Sequence, residues 1–173
     1  MIYLLIASYL IGSISSAVII CKVLGIPDPR TQGSKNPGAT NVLRLGGKKI
    51  AGFVLTFDGL KGATPVIIGH YLEFGLTQLT LITLCAFLGH IFPVFFRFRG
   101  GKGVATYLGG LIAINLLAGL IFSVIWLLVA KVLKTSSLAA LIATALSPFY
   151  FYFITGDMAS TLIIGLISLF IFY

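Results

Sequence analysis

The chain has 173 residues, of which 58% are apolar and only 9% are charged, and its formal net charge is +8. A soluble domain carries about a quarter charged residues, so this composition excludes an ordinary water-soluble domain. A helix that crosses a bilayer needs about 20 apolar residues. The clearest apolar stretches run from Met1 to Cys21, from Leu76 to Phe96, from Val104 to Ala130 and from Leu138 to Ile154. The sequence therefore predicts an all-α integral membrane protein.

The first apolar stretch resembles a signal peptide in length but has no Lys or Arg before its apolar core. Signal peptides begin with a basic segment, so we expect this stretch to be a retained membrane segment.

Cys21 and Cys85 both lie in apolar stretches and do not form a metal-like cluster. We therefore expect two structural thiols and no metal site.

The basic residues fall into three polar loops, and this distribution bears on orientation. The loops carry Lys22, Arg30, Lys35, Arg44, Lys48 and Lys49; Arg97, Arg99 and Lys102; and Lys131 and Lys134. The connections near Glu73 and Asp157 carry no basic residue. Because cytoplasmic loops are enriched in Lys and Arg, the charge predicts membrane orientation, and it predicts no nucleic-acid partner.

If all three basic loops face the cytoplasm, neighbouring loops must be separated by an even number of crossings. The long apolar run that starts at Val104 then has to break near Asn115–Gly119 into two short helices. This predicts about seven segments, with the N-terminus outside and the C-terminus in the cytoplasm. The segments are roughly 2–24, 50–71, 76–96, 104–115, 118–134, 138–154 and 159–173. Six crossings are the alternative.

The long polar loop after the first segment is crowded with glycines, hydroxyls and amides. Its candidate substrate-binding and catalytic residues are Gly33, Ser34, Asn36, Thr40, Asn41 and Arg44. Backbone amides beside glycine can form an anion-binding nest, and the planar guanidinium of Arg44 suits phosphate. A solvated loop made only of turns would have the same composition, so both interpretations stay open.

A second polar cluster, Asp58 to Gly62, interrupts an apolar segment. Ionisable residues inside a membrane segment are usually functional or paired. Asp58 and Lys61 are three residues apart and can pair on one helix face. They are therefore either substrate-binding residues or a structural pair that neutralises itself.

The third cluster lies between two apolar segments. It contains His90, Gly100, Gly101, Lys102, Gly103 and Thr106. The glycines directly precede an apolar helix, whose N-terminal amides and dipole favour an anion. The same end of the dipole disfavours a cation, so the position of Lys102 is more readily explained if an anion binds there. The spacing is not that of a nucleotide P-loop, and a glycine-rich re-entry with an interfacial lysine is the alternative.

At these three clusters the sequence resembles the bacterial acyl-phosphate:glycerol-3-phosphate acyltransferases, the PlsY family. The matching segments are 33–44 with Gly46 and Gly47, then 58–62, then 89–106, and the flanking residues 13–17 and 27–30 also fit. The resemblance implies a multi-pass protein of the bacterial inner membrane with seven segments and a site facing the cytoplasm. It also implies transfer of a fatty acyl group from acyl phosphate to the sn-1 hydroxyl of glycerol 3-phosphate. The products would be lysophosphatidic acid and phosphate.

Acyl phosphate is already an activated donor, so we expect no cofactor. Holding two phosphate-bearing substrates together requires fixed positive groups, which Arg44, Lys61 and Lys102 can supply. The His-x4-Asp pattern of other glycerolipid acyltransferases is absent after both His70 and His90. We therefore expect the donor's own phosphate to remove the hydroxyl proton, with Ser34 positioning the donor and His90 as the alternative base.

Two other classes of function remain open at this stage, namely a transporter for an organic phosphate and a scaffold for lipid enzymes. Expected partners are the two substrates, membrane lipid and the enzyme that forms the acyl phosphate.

Family members usually continue past the last segment with a basic tail, whereas this sequence ends at Tyr173. We expect residues 1–173 to form a single membrane domain that lacks this tail and is less active than a version carrying it.

Overall fold

The computed structural model describes residues 1–172, and within them all regular structure is helical. The helices are α1 (Ile2–Gly12), α2 (Ser16–Val23), α3 (Ala39–Tyr71), α4 (Leu76–Ile91), α5 (Val104–Ile114), α6 (Leu116–Leu133), α7 (Ser136–Thr155) and α8 (Met158–Phe172). A short 3-10 turn, Val94–Phe96, follows α4. The predicted all-α class is confirmed.

Among residues 1–172, four helical segments are long and apolar enough to cross a membrane, and α1 with α2 adds a fifth if this bent pair is counted as one. The helices α5 and α8 are apolar but shorter. Large apolar side chains are widely exposed, among them Tyr3 and Phe153. Such surfaces match a lipid environment, while the number of crossings and the orientation of the termini stay predictions.

The first segment is broken, whereas a single segment over 2–24 was expected. The helices α1 and α2 meet at an angle of 40° across Ser13–Ser15. The hydroxyl of Ser13 donates to the carbonyl of Tyr9 at 2.8 Å. The Ser13 amide bonds the same carbonyl at 2.9 Å, and a serine hydroxyl that adds a bond to the carbonyl four residues earlier often bends a helix. The break leaves the Ile14 carbonyl outside both helices.

The helix α3 starts at Ala39, well before the expected residue 50, so Arg44, Lys48 and Lys49 are helical. Gly47, at φ +82°, kinks it and divides a polar first part from the apolar remainder. Glycine adopts this backbone conformation readily. The kink therefore allows the loop-proximal helix to turn away from the membrane segment.

The segment expected over 76–96 ends earlier as a helix, at Ile91. Pro93 disfavours helical backbone in the residue before it, and Phe92 has a non-helical backbone.

The predicted break near Asn115 in the apolar run that starts at Val104 is confirmed, since α5 ends at Ile114 and α6 begins at Leu116. Asn115 caps α6 by accepting a hydrogen bond from the Ala118 amide at 3.0 Å, which is a common N-terminal cap.

The helices pack closely where glycines face a neighbouring backbone. A Cβ placed on Gly62 would collide with the Thr106 carbonyl, and one on Gly109 with the Gly59 carbonyl. Gly12 and Gly89 play the same part between α1 and α4. Small residues allow this approach in membrane proteins, and the α3–α5 contact brings the second and third polar clusters together.

Candidate active site

Asn41 organises the loop that contains Ser34. Its side chain is fully buried, and its amide nitrogen donates to the carbonyls of Pro29 and Gln32, each at 2.9 Å. Its amide oxygen accepts from the Ser34 backbone nitrogen at 2.9 Å. Gly33 has φ +62°, and a Cβ there would collide with the Asn41 side chain. These two predicted binding residues therefore shape the loop.

The polar groups left free in this loop face solvent. The side chains of Ser34, Thr40 and Arg44 are exposed, and within residues 1–172 they make no hydrogen bond or salt bridge to another side chain or to the backbone. Asn36 is half-buried beside Gly38. The Ser34 loop and the first turns of α3, which carry Thr40 and Arg44, thus present two hydroxyls and a guanidinium that remain available to a ligand.

Lys102 stands at the start of α5, as predicted, and its side chain is exposed. The helix is preceded by Gly103, which has φ +74° and leaves no room for a Cβ beside the ring of Phe87. Glycine is required here by both the backbone conformation and the close ring contact. The free N-terminal amides of α5 and the Lys102 ammonium consequently share one end of the helix.

Gly101 connects the first cluster to the third. A Cβ placed on it would lie 3.1 Å from the Pro37 carbonyl oxygen and would collide with the His90 ring. A Cβ placed on Gly100 would collide with the carbonyls of His90 and Ile91. The glycine–lysine loop, residues 100–103, is therefore held between the Ser34 loop, residues 33–38, and the end of α4.

Asp58 and Lys61 are buried and paired, with 3.0 Å between the Asp58 Oδ1 and Lys61 Nζ atoms. The Lys61 ammonium also donates to the Ile14 carbonyl at 2.9 Å, and Asp58 Oδ1 accepts from the Ser16 hydroxyl at 2.8 Å. The Lys61 ammonium and one Asp58 oxygen are thus engaged within the protein. This geometry favours the alternative of a structural pair over direct substrate binding.

His90 lies beside this pair and is also buried. Its Nδ1 atom is 3.2 Å from the Thr106 hydroxyl and 3.8 Å from Asp58 Oδ1. The second distance exceeds that of a hydrogen bond. The other edge of the ring faces Gly101, so His90 contacts both the buried pair and the glycine–lysine loop.

A cavity of about 680 Å³ opens beside residues 25–30, the segment that leads into the Ser34 loop. It is lined by Val18, Lys22, Gly25, Ile26, Pro27, Asp28, Arg30 and Phe96. Arg30 forms a salt bridge with Asp28 at 2.7 Å and lies over the Phe96 ring at 5.9 Å. The hydrogen bonds from Arg30 lower the pKa of Asp28 below its ordinary value. The cavity thus joins an apolar wall to a charged rim.

Sequence reasoning missed Ser16, whose partner Asp58 is 42 residues away. The available signal was the group of hydroxyls Ser13, Ser15 and Ser16 within an apolar stretch. All three are buried. Hydroxyls at such positions indicate a polar contact inside the bundle.

The chain is similar to known glycerol-3-phosphate acyltransferases over nearly its whole length. The family model for glycerol-3-phosphate acyltransferase matches residues 2–173. A glycerol-3-phosphate acyltransferase of Ruthia magnifica subsp. Calyptogena magnifica is 62% identical over 172 residues, which cover 99% of this chain and 87% of the relative. One from Legionella pneumophila is 49% identical over 157 residues, and there the match covers 91% of this chain but 57% of the relative.

A solved structure is also similar over nearly the whole chain. It is the crystal structure of PlsY (YgiH), described as an integral membrane glycerol 3-phosphate acyltransferase, in its glycerol 3-phosphate form. The TM-score is 0.94 at 37% sequence identity, and the match covers 99% of this chain and 86% of that one. Both the sequence and the backbone arrangement therefore agree with the same family.

Proposed function

Because this chain belongs to the glycerol-3-phosphate acyltransferase family, we propose that it acylates glycerol 3-phosphate in phospholipid synthesis. The observation that carries this proposal is the meeting of the Ser34 loop and the glycine–lysine loop at Gly101. The exposed polar side chains here are Ser34 and Lys102 in the two loops and Thr40 and Arg44 in the first turns of α3. Two cations with hydroxyls and helix N-terminal amides form a suitable environment for phosphate groups.

The donor in this proposal is an acyl phosphate, and the acceptor is the sn-1 hydroxyl of glycerol 3-phosphate. The hydroxyl oxygen bonds to the acyl carbon, and the bond from that carbon to the phosphate oxygen breaks. The products are lysophosphatidic acid and inorganic phosphate. Each substrate carries close to two negative charges near neutral pH, by analogy with phosphoserine, so their approach requires the cations of Arg44 and Lys102.

The hydroxyl proton passes to the departing phosphate in this proposal. Ser34 orients the donor, and Thr40 with the backbone amides of Gly100 and Gly103 holds the phosphate groups, whereas the Gly101 amide donates to the His90 carbonyl at 3.2 Å. His90 is the alternative base, but its Nδ1 atom is occupied by the Thr106 hydroxyl at 3.2 Å. Holding two reactants in register supplies up to about 7–11 kcal/mol in ideal cases, so positioning can account for much of the rate.

The acyl chain of the donor has an apolar surface available close to these loops. Val18, Ile26 and Phe96 line the cavity beside residues 25–30, with Lys22 and Arg30 at its charged rim. An acyl phosphate has the same combination of an apolar chain and an anionic head. We place the reaction at the cytoplasmic face of the bacterial inner membrane, where the basic loops are expected to lie.

The test is an assay with purified protein, radiolabelled glycerol 3-phosphate and palmitoyl phosphate. The expected result is a labelled lysolipid that forms with palmitoyl phosphate and not with palmitoyl-CoA. Formation of lipid only with the CoA ester would contradict the proposed donor. Uptake of the label into vesicles without acylation would instead indicate a transporter.

A further inference from the structure

A buried polar network crosses from the broken first segment to the loop that carries Lys102. We propose that Ser16, Asp58 and Thr106 are positioning residues that act on this loop through His90. The inference rests on the proposed function only in assigning phosphate binding to the loop. The geometric connection itself is independent of the reaction.

Asp58 is the centre of the network, and one oxygen makes its contacts. Oδ1 accepts from Ser16 at 2.8 Å and from Lys61 at 3.0 Å, and the His90 Nδ1 atom lies 3.8 Å away. The relative exposures of Asp58, Lys61 and His90 are 2%, 8% and 7%. Interactions among such buried groups are little screened by solvent, so a change at one is felt by the others.

The broken first segment contributes two of the bonds. Ser16 begins α2, and Ile14 lies between α1 and α2, where its carbonyl accepts from the Lys61 ammonium at 2.9 Å. A continuous helix would use that carbonyl in its own ladder. The break in this segment therefore supplies a backbone acceptor that keeps Lys61 and Asp58 in place.

His90 carries the connection to the loop. Its Nδ1 atom contacts the Thr106 hydroxyl in the first turn of α5, and its backbone carbonyl accepts from the Gly101 amide at 3.2 Å. The ring also packs against Gly101. Lys102 therefore directly follows Gly101, whose amide bonds the His90 carbonyl. It also lies just before α5, whose first turn contacts the His90 ring through Thr106.

A purely neutralising pair would not require these additional contacts. Buried ion pairs are often no more stabilising than apolar residues of the same size, although loss of one partner is strongly destabilising. Substitution of Asp58 or Lys61 therefore threatens folding itself. Ser16→Ala and Thr106→Val are better tests, because each removes one neutral hydroxyl and leaves the charged pair intact.

The experiment measures hydrogen–deuterium exchange at residues 100–103 in the full chain in detergent, which needs no substrate. Each variant should exchange about 3- to 10-fold faster there, as expected for the loss of one hydrogen bond. Thr80→Val is the matched control, because Thr80 is fully buried in α4 and bonds only carbonyls of its own helix. The control should leave exchange at 100–103 unchanged.

Turnover provides the second measurement. Per mole of folded protein, kcat/KM should fall by about 3- to 10-fold in each variant. Thr106→Ser keeps the hydroxyl and should retain most of the original kcat/KM. The double variant should lose less than the product of the two single losses, because residues of one network are not additive. These effects should appear without a greater loss of Tm than in Thr80→Val.

Unchanged exchange at residues 100–103 in both variants would overturn the inference whether or not the protein acylates. Lower Tm with unchanged loop exchange and unchanged kcat/KM would also overturn it, since that is the result of a structural role alone. Faster loop exchange in a protein that forms no lysolipid would uphold the positioning network and contradict the proposed function.

Discussion

Arg44 and Lys102 are individually exposed cations, and the proposed chemistry gives each a measurable role. Arg44→Ala and Lys102→Ala should each reduce turnover by roughly 10- to 100-fold or more, since a hydrogen bond to a charged group contributes about 1.5–3 kcal/mol. The protein should still fold, because neither side chain has a partner within residues 1–172. Steady-state kinetics on purified variants provides the measurement.

The control for this prediction is Lys131→Ala, which removes an exposed cation at the end of α6. It lies outside all three polar clusters, so it should leave kcat and KM within about 2-fold of the original. Near-normal kinetics in Arg44→Ala or Lys102→Ala would remove that residue from the site.

The pair formed by Asp28 and Arg30 predicts a small dependence of stability on pH. Arg30 lowers the pKa of Asp28 in the folded chain, so the pair contributes above the unfolded value of about 3.9. The contribution is lost as pH falls through the lowered folded pKa. Asp28 is 36% exposed and Arg30 29%, so solvent limits the contribution to less than about 1 kcal/mol.

Asp28→Asn isolates this charge, because the amide oxygen can still accept from the Arg30 backbone nitrogen. Thermal unfolding in detergent should show a slightly lower Tm for this variant at pH 7 and no difference well below pH 3. A Tm difference of equal size at both pH values would show that the charge is not the cause.

Individual residues differ in how far the sequence alone could place them. Asp58 and Lys61 are three apart on one helix, so their pairing followed from local spacing. The contact of Ser16 with Asp58 depends on how α2 packs against α3, and no local pattern encodes it. Lys102 was placed correctly at a helix start because the glycines before it mark that boundary.

At the scale of helices, the contact between α3 and α5 depends on two glycines. Gly62→Ala and Gly109→Ala should each destabilise the protein by about 1–3 kcal/mol, the usual effect of overpacking, because a Cβ would meet the opposite backbone. Gly52→Ala is the matched control, since Gly52 lies in α3 with nothing within 4 Å of a built Cβ. Thermal unfolding in detergent compares the three.

The control should leave Tm unchanged or raise it slightly, because alanine favours helix over glycine. Equal Tm values for Gly62→Ala and Gly52→Ala would mean that the two helices can separate without loss of stability. Loss of activity should accompany the loss of Tm in Gly62→Ala, since its contact with Thr106 adjoins the proposed positioning network.

The helix breaks show why only part of the fold followed from the sequence. The break at Asn115 was predicted from the charge of the flanking loops, and the side chain of Asn115 caps the next helix. The kink at Gly47 was missed, although Gly46-Gly47 marks it, because the basic residues around it suggested a loop. The break at Ser13–Ser15 was missed as well, although Gly12 and the hydroxyls of Ser13, Ser15 and Ser16 interrupt the apolar run there.

Across the whole molecule, the basic residues are expected to determine orientation. Single cysteines at Thr31, Arg99 and Thr135 would report on the three basic loops, and cysteines at Glu73 and Asp157 on the connections without basic residues. In intact cells the first three should resist an impermeant maleimide and the other two should react, because Lys and Arg are retained in the cytoplasm.

The labelling design has to separate orientation from burial. The background needs Cys21 and Cys85 replaced by alanine, and Cys21 is fully buried within the packed core. Thr31, Glu73, Arg99 and Thr135 are all exposed, so resistance to labelling at these positions cannot come from packing. Labelling after permeabilisation confirms that each thiol reacts.

Labelling of position 135 from outside would contradict seven crossings and favour six, because one crossing would then separate Thr135 from Arg99. Protection at Arg99 together with Thr31 would still keep the Ser34 loop and the glycine–lysine loop on one face, as their contact at Gly101 requires.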